Sequence, residues 1–190
     1  IELNTAKDVR AARLWNMVGE EDLRIGVFGQ PFTYPVEPIN GVMVATSMTG
    51  GERLACYPNT IVEDIVEGTS TTFFERAVED GVSLTVPYLR FLISSVKEQL
   101  KADIWLIENQ GFDIYMTVYT QTDPMQHMFY KYIDPEHSEY NTKRSRDLRP
   151  LINQFYSVID EAIGRLVELC PDATVILLSD HGAQSADKSF

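Results

Sequence analysis

The chain has 190 residues, of which 44% are hydrophobic and 11% aromatic, and its formal net charge is -12. A chain of this length and composition can bury a core, so residues 1–190 are predicted to fold as one domain rather than to stay disordered. The acidic balance disfavours a broad interface with a nucleic-acid polymer, but it does not exclude a small phosphorylated substrate, because bound divalent metals can reverse the field within a pocket.

The first half of the chain alternates helical and strand-like segments. Residues 8–18 carry apolar side chains near helical spacing, and Gly19 follows as a stop signal, which predicts a helix. Short apolar runs at 24–29 and 41–45 predict buried strands, and a proline-rich loop connects them. Residues 46–86 lack a firm period and are predicted to form an irregular insert or cap-like segment of loops and short elements.

The second half combines long helices with short strands. An apolar stripe predicts a helix from Pro87 to about residue 106, and its members are Leu89, Leu92, Ile93, Val96, Leu100 and Ile104. Residues 112–119 predict a strand covered on both faces. A second stripe from Leu148 to Val167 predicts another helix, and residues 174–178 predict a short buried strand. This alternation predicts an α/β fold with a mainly parallel sheet flanked by helices.

Two pairs of carboxylate and imidazole follow the last two predicted strands. Asp123 and His127 are four residues apart, so a helical turn directs both side chains to one face, where they can share a metal ion. Asp180 and His181 are adjacent in sequence, directly beyond the predicted strand at 174–178. Because open α/β sheets bind ligands beyond the carboxyl ends of their strands, both pairs are expected to face one crevice.

Each pair also has a simpler interpretation. Asp123 can be a helix N-cap with Pro124 at the first helical position, and His127 can be a half-buried histidine with a satisfied hydrogen bond. Asp180 can belong to an ordinary turn. The occurrence of both pairs in one chain favours two divalent metal ions, for which zinc is the first choice and manganese or iron are alternatives. Two such ions suit phosphoryl transfer.

The segments Asp123-Pro-Met-Gln-His127-Met-Phe129 and Leu178-Ser179-Asp180-His181-Gly182 resemble the type I phosphodiesterase/nucleotide pyrophosphatase group of the alkaline phosphatase superfamily. The stretch from Leu14 to Gly41 is similar to the segment after the nucleophile region in bacterial and archaeal predicted phosphohydrolase/phosphomutase members. The resemblance implies an alkaline-phosphatase-like fold. It also implies a metal-dependent phosphoric ester hydrolase that acts on a small phosphorylated substrate, either a nucleotide or a phosphodiester.

By position, Asp123 and His127 resemble the ligands of the ion that activates water and holds substrate, and Asp180 and His181 those of the ion that activates the nucleophile. The family adds an aspartate after its first strand, a nucleophilic Thr or Ser, and a distant downstream histidine, none of which is identified here. The expectation is therefore a partial catalytic domain that lacks the nucleophile strand upstream of Ile1 and the C-terminal part, and that is inactive alone.

Three residues outside the two pairs also have side chains suited to a site of this kind. Thr33 and Tyr34 lie in the proline-bounded loop and are candidates for substrate binding, with a rigid surface loop as the alternative. His137 lies in a polar stretch and is predicted to be a solvated loop histidine rather than a further metal ligand.

Two other functions stay open at the level of sequence. A phosphomutase of the same superfamily would return the phosphoryl group to its substrate, and a non-catalytic binding module would keep the fold with parts of the site. No apolar run reaches the roughly 18 to 20 residues that cross a bilayer. The sequence favours a cytoplasmic location and does not indicate an oligomeric state.

Overall fold

The computed structural model describes residues 5–45, 55–71 and 86–185, which belong to two compact units. One unit comprises Ile1–Gly81 and Glu98–Tyr119, and the other comprises Val82–Lys97 and Thr120–Phe190. No helix within the described ranges has the length and apolar character needed to cross a membrane. The single-domain organisation and the insert at residues 46–86 remain predictions.

The first unit contains a four-stranded sheet with the order β3-β2-β1-β4. Its elements are α1 (Leu14–Glu20), β1 (Ile25–Phe28), β2 (Gly41–Ala45), β3 (Ala55–Tyr57), α2 (Ile61–Thr69), the second part of α3 (Val86–Gln110) and β4 (Ile114–Thr117). Strand β1 is parallel to both β2 and β4, and β3 is antiparallel to β2. The predicted mainly parallel α/β sheet is confirmed.

Both faces of this sheet are covered, because successive side chains of a strand point to opposite sides. On one face, Ile25 and Val27 pack with Trp15 of α1. On the other face, Phe28 packs with residues of α2 and of the second part of α3, including Ile65 and Leu106. Burial on both faces explains why β1 is a continuous apolar run rather than an alternating one.

The predicted helix at residues 8–18 is wrong in its first half. Residues Ala6–Asp8 form a single 3-10 turn, and α1 begins only at Leu14 and continues through Gly19 to Glu20. Arg13 is extended, with φ -92° and ψ 156°, and its guanidinium bonds the Glu37 carboxylate at 2.6 Å and the Ala6 carbonyl. These contacts distant in sequence hold residue 13 outside the helix, which apolar spacing alone does not reveal.

Helix α3 is confirmed, but its buried face differs from the predicted stripe. Leu89, Leu92, Ile93 and Val96 are buried as predicted. Beyond residue 97, where the helix passes into the first unit, Leu100 and Ile104 are only partly buried, whereas Gln99 and Asp103 are buried. A polar pair therefore replaces the predicted apolar positions on the inner face.

The second unit consists of helices in the part that the structure describes. Helix α4 (Thr122–Phe129) leads into a 3-10 turn at Tyr130–Tyr132, and α5 (Lys143–Leu169) follows after a loop. Helix α5 confirms and extends the predicted helix. It begins under a cap from the Thr142 hydroxyl, and its buried residues include Leu148, Ile152 and Phe155.

The predicted buried strand at residues 174–178 is wrong. These residues form neither helix nor strand, and Val175, Ile176, Leu177 and Leu178 are 54 to 83% exposed. A β-prone apolar run becomes a strand only when a neighbouring strand pairs with its backbone, and in the described residues none does. Leu178 lies two residues before Asp180, so the second carboxylate–imidazole pair does not follow the end of a strand.

Candidate metal centre

Helix α4 brings Asp123 and His127 together as the spacing predicts. Gln121 takes the N-cap position, Asp123 lies in the first turn and His127 in the last. Met125 and Phe129 form the buried face of the helix, which leaves the pair on the solvent side, with side chains 61 and 72% exposed. The acid at the start and the imidazole at the end also suit the helix dipole.

The distance between the two side chains matches that of neighbouring ligands on one ion. His127 Nε2 lies 3.1 Å from Asp123 Oδ1. Two ligands bound at about 2.0 to 2.1 Å from one ion are about 2.9 to 3.4 Å apart in octahedral or tetrahedral geometry. The helix therefore sets the pair at a separation that suits a shared ion and equally suits a direct ion pair between the two side chains. The alternative in which Asp123 serves only as the N-cap does not match the structure, since Gln121 occupies that position.

Asp180 and His181 lie beyond α5, on a segment without regular secondary structure. Their side chains are exposed, and His181 Nε2 is 3.7 Å from Asp180 Oδ2. The Asp180 carboxylate also accepts a hydrogen bond of 3.0 Å from the His181 backbone N–H. This pair is thus wider than the first, and local hydrogen bonds rather than a strand end set its conformation.

The ring of His181 is oriented for a ligand at Nε2. Its Nδ1 lies 2.9 Å from the Gly182 carbonyl oxygen. A carbonyl only accepts hydrogen bonds, so the proton is assigned to Nδ1, and in the neutral ring Nε2 keeps the lone pair that binds metals. The Gly182 carbonyl and then the charges of Asp180 and Asp123 raise the pKa of His181.

Both pairs belong to the second unit, and the charge of Asp123 is the smallest of the causes that raise the pKa of His181. The carboxylate of Asp123 acts on an imidazole 58 positions away in sequence. Even so, no group of three or more His, Cys, Asp or Glu side chains in the described residues is arranged to hold one ion. The four predicted ligands therefore form two separate pairs, and their role as metal ligands stays a prediction.

A comparison with models of known protein families shows to which family the chain belongs. The model for type I phosphodiesterase / nucleotide pyrophosphatase matches residues 3–190. The chain belongs to this family. No curated protein and no solved structure gives a significant match. Family membership agrees with the resemblance carried by Asp123–Phe129 and Leu178–Gly182, and the α/β fold is consistent with an alkaline-phosphatase-like domain.

Two other predicted site residues of this phosphodiesterase-family chain lie in the first unit. Thr33 is buried, and its hydroxyl donates a hydrogen bond of 2.7 Å to the Gln30 carbonyl. The Tyr34 carbonyl accepts a 2.8 Å hydrogen bond from the Ala6 N–H. Both residues thus stabilise the loop locally, and their role in substrate binding stays a prediction.

His137 is not the solvated loop residue that the sequence predicts. Its side chain is buried, and its Nδ1 accepts a hydrogen bond of 3.0 Å from the Glu139 N–H. Residues 134–139 are polar in composition, yet they form a turn in which the Glu139 N–H contacts the His137 ring. With one ring nitrogen bonded to backbone and no ligand cluster around it among the described residues, His137 has the geometry of a structural histidine.

Proposed function

We propose that this chain is part of the catalytic domain of a metal-dependent phosphoric ester hydrolase of the phosphodiesterase/nucleotide pyrophosphatase type. Family membership supports hydrolysis of phosphoric esters. The observation that carries metal dependence is the 3.1 Å separation of Asp123 Oδ1 and His127 Nε2 on the exposed face of α4. The proposed substrate is a small phosphorylated molecule, a nucleotide or a phosphodiester, rather than a nucleic-acid polymer, in line with the net charge of -12.

Each pair has a separate role in this proposal. Asp123 and His127 would hold one divalent ion, and Asp180 and His181 the other, with zinc first and manganese or iron as alternatives. When bound, such ions lower the pKa of an attacking oxygen and stabilise charge on the phosphoryl group. The chain's own contribution is orientation: α4 sets the first pair, and the Gly182 carbonyl directs His181 Nε2 outward. The phosphorylated Thr or Ser is proposed to lie outside these 190 residues, so the chain alone is expected to be inactive.

Removing both carboxylates should weaken metal binding at the proposed centre. In a Mn²⁺ titration followed by electron paramagnetic resonance, the Asp123→Ala, Asp180→Ala double variant is expected to bind at least about tenfold more weakly than the unaltered chain, because each pair loses its anionic ligand. The matched control is Asp160→Ala, Glu161→Ala, which removes the same charge from exposed positions of α5. Equal losses in both double variants would contradict the proposed centre.

Catalysis is tested in a protein that contains both this chain and the nucleophile segment. Asp123→Ala should lower kcat/KM for a nitrophenyl phosphodiester by more than the roughly 10- to 100-fold that loss of an outer-shell metal partner costs. Hydrolysis in ¹⁸O-labelled water should place the label in the released phosphate ester. A phosphomutase is tested separately with a phosphate monoester that carries a free hydroxyl group, and phosphate that moves to this hydroxyl without label would identify it.

A further inference from the structure

The two halves of the proposed centre are supported very differently. Asp123 and His127 lie on α4, which is anchored by its buried residues Met125 and Phe129. Asp180 and His181 lie on the segment after α5, where residues 171–184 are exposed and form no helix or strand. Burial therefore does not fix the second pair, and another contact has to restrict its position.

The hydrogen bonds of residues 171–185 are local, with one exception in the described part of the chain. The Ala173 N–H donates to the Cys170 carbonyl, the Ser179 hydroxyl to the His181 carbonyl, and the His181 ring bonds Gly182. The exception is the Ser185 hydroxyl, which donates to Asp134 Oδ2 across 51 positions of sequence. Ser185 lies only four residues beyond His181.

Asp134 is a firmly held acceptor. Its N–H donates to the Tyr130 carbonyl at 3.1 Å, and its Oδ1 accepts the Glu136 N–H at 3.0 Å. The adjoining residues Tyr132 and His137 are buried. The Tyr132 carbonyl, in turn, accepts a hydrogen bond of 2.7 Å from the fully buried Ser145 hydroxyl. The loop that carries Asp134 continues directly from α4 through the 3-10 turn, so it is fixed to the same support as Asp123 and His127.

We propose that Ser185 and Asp134 form a latch that positions Asp180 and His181 against the Asp123–His127 pair. The inference rests on the proposed function, and both are positioning residues, since neither belongs to the ligand set. The latch restricts the exposed segment from its far side, while α5 holds its beginning.

The test follows the ring-proton NMR signals of the three histidines of this chain while Mn²⁺ is added. Each signal is assigned with a single His→Gln variant. In the unaltered chain, the signals of His127 and His181 should broaden together, because both rings bind or face the paramagnetic ion. In Ser185→Ala, broadening of His181 relative to His127 is expected to fall roughly two- to tenfold, the population change that corresponds to loss of one hydrogen bond.

Matched variants separate the latch from a general effect on folding. Ser157→Ala removes an exposed serine hydroxyl that bonds the Asn153 carbonyl on α5, and it should leave the broadening ratio unchanged. Ser185→Thr keeps the donor and should restore the ratio. Asp134→Ala should reproduce the Ser185→Ala result, and the double variant should add nothing further, because the two side chains act as one pair.

The outcomes distinguish this inference from the function on which it rests. If the broadening of His181 relative to His127 is the same in Ser185→Ala and in the unaltered chain, the latch is wrong but the proposed metal centre is not contradicted. Absence of broadening at both histidines of the unaltered chain overturns the metal centre, and the latch falls with it. A lower broadening ratio in Ser185→Ala that Ser185→Thr restores supports both the latch and the metal centre.

Discussion

Replacing Gly41 with alanine is expected to lower the free energy of unfolding by roughly 3 to 5 kcal/mol. Gly41 opens β2 with φ +149°, and a Cβ atom there would lie 1.8 Å from the Ile25 carbonyl oxygen and 2.9 Å from the Ile25 nitrogen. Both atoms belong to the backbone of β1, which pairs with Gly41 in parallel register. No side-chain rotation relieves this collision, so the two central strands have to separate. Urea unfolding followed by circular dichroism measures the loss.

Gly111 is the matched control for this prediction. It follows α3 in the same unit with φ +60°, and a Cβ atom there meets nothing within 4 Å. Gly111→Ala therefore imposes the strain of a positive φ without a collision and should cost only about 1 kcal/mol. If both substitutions cost the same, backbone conformation alone would explain the need for Gly41, and the close approach of the strands would not.

The central strands could be predicted from sequence because their burial leaves a direct signature. Strands β1 and β2 are short apolar runs bounded by turn residues, and both faces of their sheet are covered. Strand β3 and helix α2 lie within the stretch that is predicted only as loops and short elements. The buried Ile61 and Ile65 of α2 are four residues apart, so a helical spacing is present there, but the small and turn-forming residues around it obscure it. Residues 174–178 show the reverse failure, because their pattern matches that of β1 while the described structure offers them no paired neighbour.

For the Asp123–His127 pair, the sequence predicts the arrangement for the correct physical reason. The four-residue spacing of Asp123 and His127 predicts a shared helix face, and the 3.1 Å contact confirms that proximity. For Asp180 and His181, the expected support was a strand end, which the structure does not contain. Their position relative to Asp123 is proposed to depend instead on an exposed segment and on the hydrogen bond from Ser185 to Asp134. No local sequence pattern encodes a contact between residues 51 positions apart.

The buried acid Asp103 beside β4 is not among the predicted residues, although the sequence contains a pattern that indicates it. Tyr115, Thr117 and Tyr119 alternate along one face of the strand and its extension, which places three hydroxyl groups on one side. Asp103 of α3 lies opposite, fully buried, and accepts hydrogen bonds from Tyr115 at 2.6 Å and Tyr119 at 2.7 Å. Gln99 donates to Thr117 Oγ1 at 3.0 Å. Hydroxyl groups at alternate positions of a covered strand therefore predict a buried polar partner.

Replacing Asp103 with leucine is expected to destabilise the chain by roughly 2 to 5 kcal/mol at pH 5. The substitution leaves the Tyr115 and Tyr119 hydroxyl groups buried without their acceptor, and each orphaned group costs about 1 to 3 kcal/mol. Asp103→Asn, which keeps an oxygen acceptor and adds an amide donor, should cost less than Asp103→Leu. Chemical unfolding of the three proteins measures the difference. A leucine variant as stable as the asparagine variant would show that the hydrogen bonds to the carboxyl group do not contribute.

Asp103 should also make stability depend on pH, in the direction opposite to that of a salt-bridged acid. Burial raises the pKa of Asp103 from 3.8 to about 6, although hydrogen bonds from Tyr115, Tyr119 and Thr117 oppose the rise. The folded chain thus holds the proton more tightly than the unfolded chain, so this contribution to stability is complete below about pH 3.8 and is lost as the pH rises through 6. Relative to Asp103→Asn, which cannot titrate at this position, the unaltered chain should lose roughly 2 to 3 kcal/mol of unfolding free energy between pH 4 and pH 7. Parallel pH profiles of the two proteins would mean that the carboxyl group is already ionised in the folded chain at pH 4. The hydroxyl groups of β4 would then outweigh its burial.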